Sequence, residues 1–198
     1  MRPAAVLVGV VLAVASQSLA ACGTPEQPHP VSADPRSLVL SAADLPGWQA
    51  DASNTRPLIN PRDMTGDSSD TSPYTDNGWV SAYEADYTSA SATGDQRIAV
   101  LVSVFRNPDG ASAFIGQGVG SQDLPPGAQP LAEPPSLGER SKAYRQQVTT
   151  STGNLTTLWA FYWQDRNIVA RVHVVGEAVG ETVAVGIARR EAQIVRDH

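Results

Sequence analysis

The chain has 198 residues, 41% of them hydrophobic and 17% charged, a composition typical of a globular domain and not of a disordered chain. Its formal net charge is -6 and its pI is about 4.9, which argues against nucleic acid as a partner. Because Cys22 is the only cysteine, an internal disulfide is excluded. The three histidines (His29, His173 and His198) lie in separate segments, so we expect neither a metal site nor a cofactor.

Residues 1–22 have the pattern of a bacterial lipoprotein signal peptide. Arg2 supplies a positive start, and an apolar run of signal-peptide length follows at 4–15 before polar residues interrupt it. The run is shorter than the roughly 20 apolar residues of a transmembrane helix. The next stretch, Leu19-Ala20-Ala21-Cys22, resembles the lipobox of bacterial lipoproteins, which implies cleavage before Cys22 and acylation of its thiol. The alternative is an ordinary signal peptide that is cut before a cysteine.

We therefore expect a signal peptide at 1–21 and a lipid anchor, palmitate or similar acyl chains, on Cys22. Each buried methylene contributes about 0.8 kcal/mol, so two or three chains hold a protein durably at the extracytoplasmic face of the cell membrane. A polar, proline-rich stretch follows, which predicts an extended tether. We place this tether at 22–36 and a single folded domain at 37–198.

The first part of the domain is expected to contain little regular structure. Ser41–Asp44 has the spacing of a capped helical turn, which Pro46 and Gly47 end. Residues 54–78 are polar and interrupted by prolines, which predicts a long surface loop. A second proline-rich loop is expected at 124–138.

Hydrophobic alternation predicts the strands. In 79–87, Trp79 and other aromatic residues alternate with Glu84 and Asp86, which indicates a strand with one apolar and one polar face. The stretch 98–105 is apolar on both faces, as in a central strand that is covered on both sides. Three further strands are expected at 143–150, 155–164 and 168–175.

Two helices complete the pattern. Asn107 is a suitable cap for a short helix with an apolar stripe, and a longer amphipathic helix is expected at 178–196. Helices and strands in this order predict an α+β domain, in which helices pack on an antiparallel sheet of about five to six strands.

Three stretches carry a resemblance to known proteins: 40–48 (LSAADLPGW), 137–144 (LGERSKAY) and 163–170 (WQDRNIVA). In these stretches the chain resembles small actinobacterial lipoproteins of unknown function. The predicted order of elements is also similar to the PsbP-like fold of some mycobacterial lipoproteins and to extracellular sensor domains of actinobacterial kinases. These groups share no catalytic residues, so the resemblance implies a fold and a location but no active site.

The candidate binding residues are Arg171 and His173, which alternate with valines on the last predicted strand. Both side chains therefore point away from the apolar face and lie about 6.5–7 Å apart, close enough for one carboxylate or phosphate to contact both. The competing interpretation is that Glu84 or Asp86 on a neighbouring strand neutralises Arg171.

A row of aromatic residues, Trp159, Phe161 and Trp163, either belongs to the core or lines a cleft for an apolar ligand. No Gly-x-Ser-x-Gly motif occurs, and we assign no catalytic residue.

These observations favour a non-catalytic binding or accessory domain of the cell envelope, with an envelope protein or a small apolar ligand as its partner. Two alternatives stay open: a carrier of lipid or of small apolar ligands, and an enzyme whose site is assembled from scattered residues. A carrier needs a large apolar cavity between sheet and helices. An enzyme needs convergent titratable groups within about 3 Å of one another.

Overall fold

The structure is a computed structural model that describes residues 29–65, 70–91, 94–117, 124, 127–149, 153–177 and 179–198. The predicted signal peptide and the predicted lipidation site Cys22 lie outside the described residues. The strands are β1 Gln49–Ala50, β2 Arg56–Leu58, β3 Trp79–Ser91, β4 Gly94–Phe105, β5 Gln129–Pro130, β6 Arg140–Thr149, β7 Leu155–Asp165 and β8 Ile168–Gly176. The helices are α1 Ser72–Thr75, α2 Pro108–Gly116 and α3 Glu181–Arg196, and short 3-10 turns occur at Pro35–Leu38, Ala42–Asp44 and Pro61–Met64.

The described strands form one antiparallel sheet in the order β1-β3-β4-β8-β7-β6-β5, with β2 also paired to β3. The predicted α+β architecture is confirmed. Five strands are long, in agreement with the sequence, and the short strands β1, β2 and β5 extend the sheet at its margins. Strands this short carry too few residues to show alternation, so their pairing is visible only in the folded chain.

Both faces of the sheet are covered, each by a different layer. The first face packs against α3 and the N-terminal segment, and the second face packs against α2 and α1. Val100 and Val102 of β4 are fully buried on the first face, whereas Leu101 and Phe105 are buried on the second. The prediction of a central strand covered on both sides is therefore confirmed.

Trp79 lies on the opposite face from the one that simple alternation predicts. It packs with Tyr74 on the second face, whereas Ala85 and Tyr87 belong to the first-face core. The register between β3 and β4 shifts between Trp79 and Ser81, which is a β-bulge. A bulge inserts one extra residue into a strand. Side chains that precede the bulge, such as Trp79, therefore point to the opposite face from the one that continuous alternation predicts.

The ordered domain begins earlier than the predicted boundary at residue 37. The side chain of Val31 is buried in the first-face core, and its backbone N–H donates to Asn167 Oδ1 at 2.5 Å. Asn167 Nδ2 returns a hydrogen bond to the Val31 carbonyl at 3.1 Å. Val31, which the predicted boundaries place in the tether, is therefore docked on the domain through Asn167.

The predicted surface loop at 54–78 also has a packing role. Leu58 and Tyr74 are buried on the second face, and the Tyr74 hydroxyl donates to the Met64 carbonyl at 3.1 Å. The segment is polar overall, and these isolated apolar residues give no periodic signal, so composition alone hides its contribution to the core. Residues 66–69 of this loop lie outside the described residues.

Candidate functional site

The register of the sheet aligns several charged residues in one row across the second face. Each strand contributes one residue, and consecutive residues in the row are direct cross-strand partners. The row crosses the strands in their spatial order, β2, β3, β4, β8, β7 and β6. Its residues, in that order, are Arg56, Glu84, Leu101, Arg171, Tyr162 and Lys142. Arg56 and Lys142 are far from Arg171 along the chain, so no local pattern indicates that they join this row.

Glu84 lies between two guanidinium groups in this row. Arg171 Nη2 is 3.7 Å from Glu84 Oε1, and Arg56 Nε is 3.6 Å from Glu84 Oε2. The side chains of Arg171 and Glu84 are only 18% and 21% exposed, so water screens this pair less than an ordinary surface pair. The predicted alternative, in which Glu84 partners Arg171, thus describes the contact that the fold makes.

His173 lies on the same face, in the adjacent row of the sheet. Its Nε2 is 2.7 Å from the Tyr162 hydroxyl oxygen, a hydrogen bond whose direction depends on the imidazole tautomer. Burial, with the nearby charges of Arg171 and Arg97, lowers the pKa of His173 to about 3. The imidazole is therefore neutral at physiological pH. The side chain is half-buried.

Tyr162 and His173 satisfy the distance criterion for an acid–base pair, but their chemistry is unsuited to the role. A general base works best when its pKa lies near the working pH, and a histidine with a pKa near 3 accepts a proton poorly at neutrality. Tyr162 is itself buried, which keeps its hydroxyl in this local hydrogen bond. Within the described ranges, no three His, Cys, Asp or Glu side chains are grouped closely enough to hold a metal ion.

A groove opens beside this row, and we call it the Arg171 groove. It has an inner part of about 30 Å³ beneath α2 and an outer part of about 260 Å³. Met64, Tyr74, Leu101 and Arg171 line both parts, so the two lie side by side. The inner part has room for about one water molecule or a small substituent, and the outer part is open to larger groups.

Two long-range hydrogen bonds position α2 over the inner end of the Arg171 groove. The ammonium of Lys142 donates to the Ile115 carbonyl at 2.8 Å, near the C-terminus of the helix, where a cation is favourable. Gln164 Nε2 donates to the Pro108 carbonyl at 3.1 Å, at the first turn of the same helix. The position of the groove wall is thus set by polar residues of β6 and β7.

The aromatic row of β7 belongs to the core. Trp159, Phe161 and Trp163 are buried on the first face, beneath α3 and away from the Arg171 groove. The Trp159 indole N–H donates to the Val179 carbonyl at 2.9 Å, as expected for a buried tryptophan that needs a partner. Of the two predicted roles for this row, the structure supports packing.

None of the helices in the described part of the chain is long and apolar enough to cross a membrane. No family model matches the chain, and no curated protein matches it. Among solved structures, the chain is similar to the extracellular domain of PknH from Mycobacterium tuberculosis. The two share 14% identity with a TM-score of 0.57, over 86% of this chain and 99% of that one. At this identity the likeness concerns the fold, so no residue role carries over.

Proposed function

We propose that this chain is a lipoprotein of the cell envelope whose folded domain binds a small ligand without catalysis. The observation that carries the proposal is the Arg171 groove, which joins an apolar surface to a charged wall. Of the polar groups that line it, Arg171 pairs with Glu84, and the Tyr162 hydroxyl is held in a hydrogen bond with His173 behind the wall of the groove. Convergent polar groups beside an apolar surface are typical of small-molecule sites.

The location rests on two independent supports. The first 22 residues have a positive start, an apolar run and a lipobox-like stretch that ends at Cys22. The fold is similar to a domain that is extracellular in PknH. Both fit an extracytoplasmic location, and the lipobox-like stretch alone supports a lipid anchor on Cys22.

The lipid-carrier alternative is less well supported. A carrier of acyl chains needs a large enclosed apolar cavity, whereas the inner, mainly apolar part of the Arg171 groove measures about 30 Å³. Ligand sites for drug-sized molecules occupy roughly 300–1,000 Å³. The outer part of the groove therefore suits a small amphipathic molecule better than a whole lipid.

Native mass spectrometry of the mature lipidated chain, purified in detergent from envelope membranes, tests this proposal. We expect a bound molecule of discrete mass that is lost in Met64→Trp, because the larger indole fills the groove. Ile59→Trp is the matched control, since Ile59 is 77% exposed on the same segment and does not line the groove. Melting curves of both variants confirm that they fold.

Three outcomes contradict the proposal. The purified chain carries no discrete mass, or Met64→Trp retains that mass, or a stoichiometric protein co-purifies in place of a small molecule. The last result would replace ligand binding with the accessory role at an envelope protein.

A further inference from the structure

A second groove lies between α3 and the turn that precedes β1, apart from the Arg171 groove. Its volume is about 380 Å³, within the range of small-molecule sites. The residues that matter for its chemistry are Pro46, Trp48, Val183, Gly186, Ile187 and Arg190. We call it the Trp48 groove.

Gly186 is a glycine that the fold itself does not require. It lies inside α3, where glycine costs about 1 kcal/mol relative to alanine. A Cβ placed on Gly186 would meet no heavy atom within 4 Å. Gly110 and Gly138 differ, because a Cβ there would lie 2.1 Å and 2.2 Å from backbone oxygens of neighbouring segments. The missing side chain of Gly186 therefore leaves open space within the Trp48 groove.

The walls on either side of Gly186 are apolar and accessible. Trp48 is only partly buried, and Val183 is 54% exposed. Ile187 supplies a buried apolar surface one residue after Gly186. A flat apolar group can therefore lie over the glycine with apolar side chains around it.

Arg190 brings a positive charge to the same groove. Its Nη1 donates to the Asp44 backbone carbonyl at 2.9 Å, which holds the guanidinium in place with one of its five N–H donors. The Asp44 carboxylate accepts hydrogen bonds from the backbone N–H and hydroxyl of Ser41, at 2.8 Å and 2.6 Å. The guanidinium is thus held by a neutral carbonyl, and, after the Ser41 hydrogen bonds, its charge also helps to lower the pKa of the nearby Asp44 carboxyl. Its other N–H groups can donate to the carboxylate of a ligand.

We propose that the Trp48 groove binds a molecule that combines a flat apolar body with one carboxylate. The body lies over Gly186 between Trp48 and Val183, and the carboxylate pairs with Arg190. This site is independent of the Arg171 groove, and the inference stands whether or not that groove is occupied.

The probe is radiolabelled 2-naphthoate, measured by equilibrium dialysis against the mature lipidated chain in nanodiscs, with empty nanodiscs as background. The uncharged 2-naphthamide is its matched competitor. We expect one saturable site per chain, and the amide to compete at least about ten-fold more weakly because it lacks the charge that pairs with Arg190.

Two pairs of variants locate the site. Arg190→Gln should weaken 2-naphthoate binding at least about ten-fold, whereas Arg189→Gln, the exposed neighbour, should leave it within about two-fold. Gly186→Leu should abolish binding because its side chain occupies the groove. Arg171→Gln should leave binding within about two-fold, which separates the two grooves.

Several results would overturn the proposal. They are no saturable binding, equal competition by the amide, unchanged binding in Gly186→Leu, or equal losses in Arg189→Gln and Arg190→Gln. If Gly186→Leu does not fold, the arginine pair still decides, because both side chains are exposed and their replacement leaves the core intact.

Discussion

Glu191 is a carboxylic acid within the first-face core. Its side chain is fully buried, and its Oε2 accepts a hydrogen bond from the Leu40 backbone N–H at 2.8 Å. The Tyr87 hydroxyl donates to the carbonyl of the same leucine. Burial raises the pKa of Glu191 to about 8, so the group is protonated at neutral pH and holds the N-terminal segment as a neutral acid.

This pKa makes the free energy of unfolding pH-dependent. Between pH 4.5, the ordinary pKa of glutamate, and about 8, the folded chain binds a proton at Glu191 that the unfolded chain does not, so stability falls as pH rises. His173 changes the free energy of unfolding in the opposite direction. Its pKa is lowered from 6.5 to about 3, so between these values the unfolded chain binds the extra proton and stability rises with pH. The two effects oppose each other up to pH 6.5, and only Glu191 acts above it.

We therefore predict that Glu191→Gln abolishes a loss of about 2 kcal/mol in unfolding free energy between pH 6.5 and 8. Urea unfolding of the wild type and the variant across this range measures the effect. Glu133→Gln, at an exposed position, is the control and should keep the wild-type slope. Parallel pH profiles in the wild type and Glu191→Gln would show that the buried acid is not the source of the dependence.

At the scale of elements, Asn167 joins three parts of the chain. Besides its two bonds to Val31, its Nδ2 donates to the Phe105 carbonyl at 2.8 Å. We predict that Asn167→Ala lowers the unfolding free energy by about 1–3 kcal/mol, because buried backbone groups lose their partners. Chemical denaturation measures the change. Gln49→Ala, at an exposed position of β1, should stay within about 0.5 kcal/mol, and a similarly small cost for Asn167→Ala would contradict the docking role.

The two-sided burial of β4 leads to a second prediction for the elements. Leu101→Ala and Val102→Ala remove side chains from opposite faces of the same strand, and both should destabilise, by about 2–5 and 1–3 kcal/mol respectively. Ile59→Ala is the control, since that side chain is largely exposed and should cost less than about 0.5 kcal/mol. A near-zero cost for Leu101→Ala would mean that α2 and α1 do not close the second face in solution.

At the scale of the whole molecule, the proposed lipid anchor on Cys22 would hold the domain at the membrane surface. Cys22→Ser removes the acceptor thiol, so we predict the loss of labelling by a fatty-acid analogue and either release of the chain or accumulation of unprocessed precursor. Metabolic labelling and membrane fractionation measure both effects. Unchanged labelling and membrane association in Cys22→Ser would contradict the lipoprotein assignment.

The arrangement of the two layers separates two roles within one sheet. The first face buries the aromatic row of β7 against α3, and this layer contributes most of the apolar core. The second face carries the charged row and is covered in part by short elements, so the Arg171 groove forms there. The acidic chain thus has basic side chains aligned across one face of its sheet, although its net charge is -6.

Local periodicity was sufficient to predict the long strands, the two faces of β4 and the placement of Arg171 and His173 away from the valines of β8. Side-chain alternation is a property of each strand alone, so a single sequence reveals it. The N-cap of α2 could also be predicted from the local sequence, because Asn107 accepts a hydrogen bond from the backbone N–H of Gly110, three residues later. The last helix begins at Glu181 and not near 178, because Gly180 has extended backbone angles.

Tertiary structure decided the features that depend on distant segments. The bulge before Ser81 changed the face of Trp79, and Asn167 brought Val31 into the folded domain. The ion pair of Glu84 with Arg171 required β3 and β8 to lie on either side of β4 in one register. Register and docking are set by packing between segments that are far apart in sequence, and a local pattern carries no information about which segments will meet.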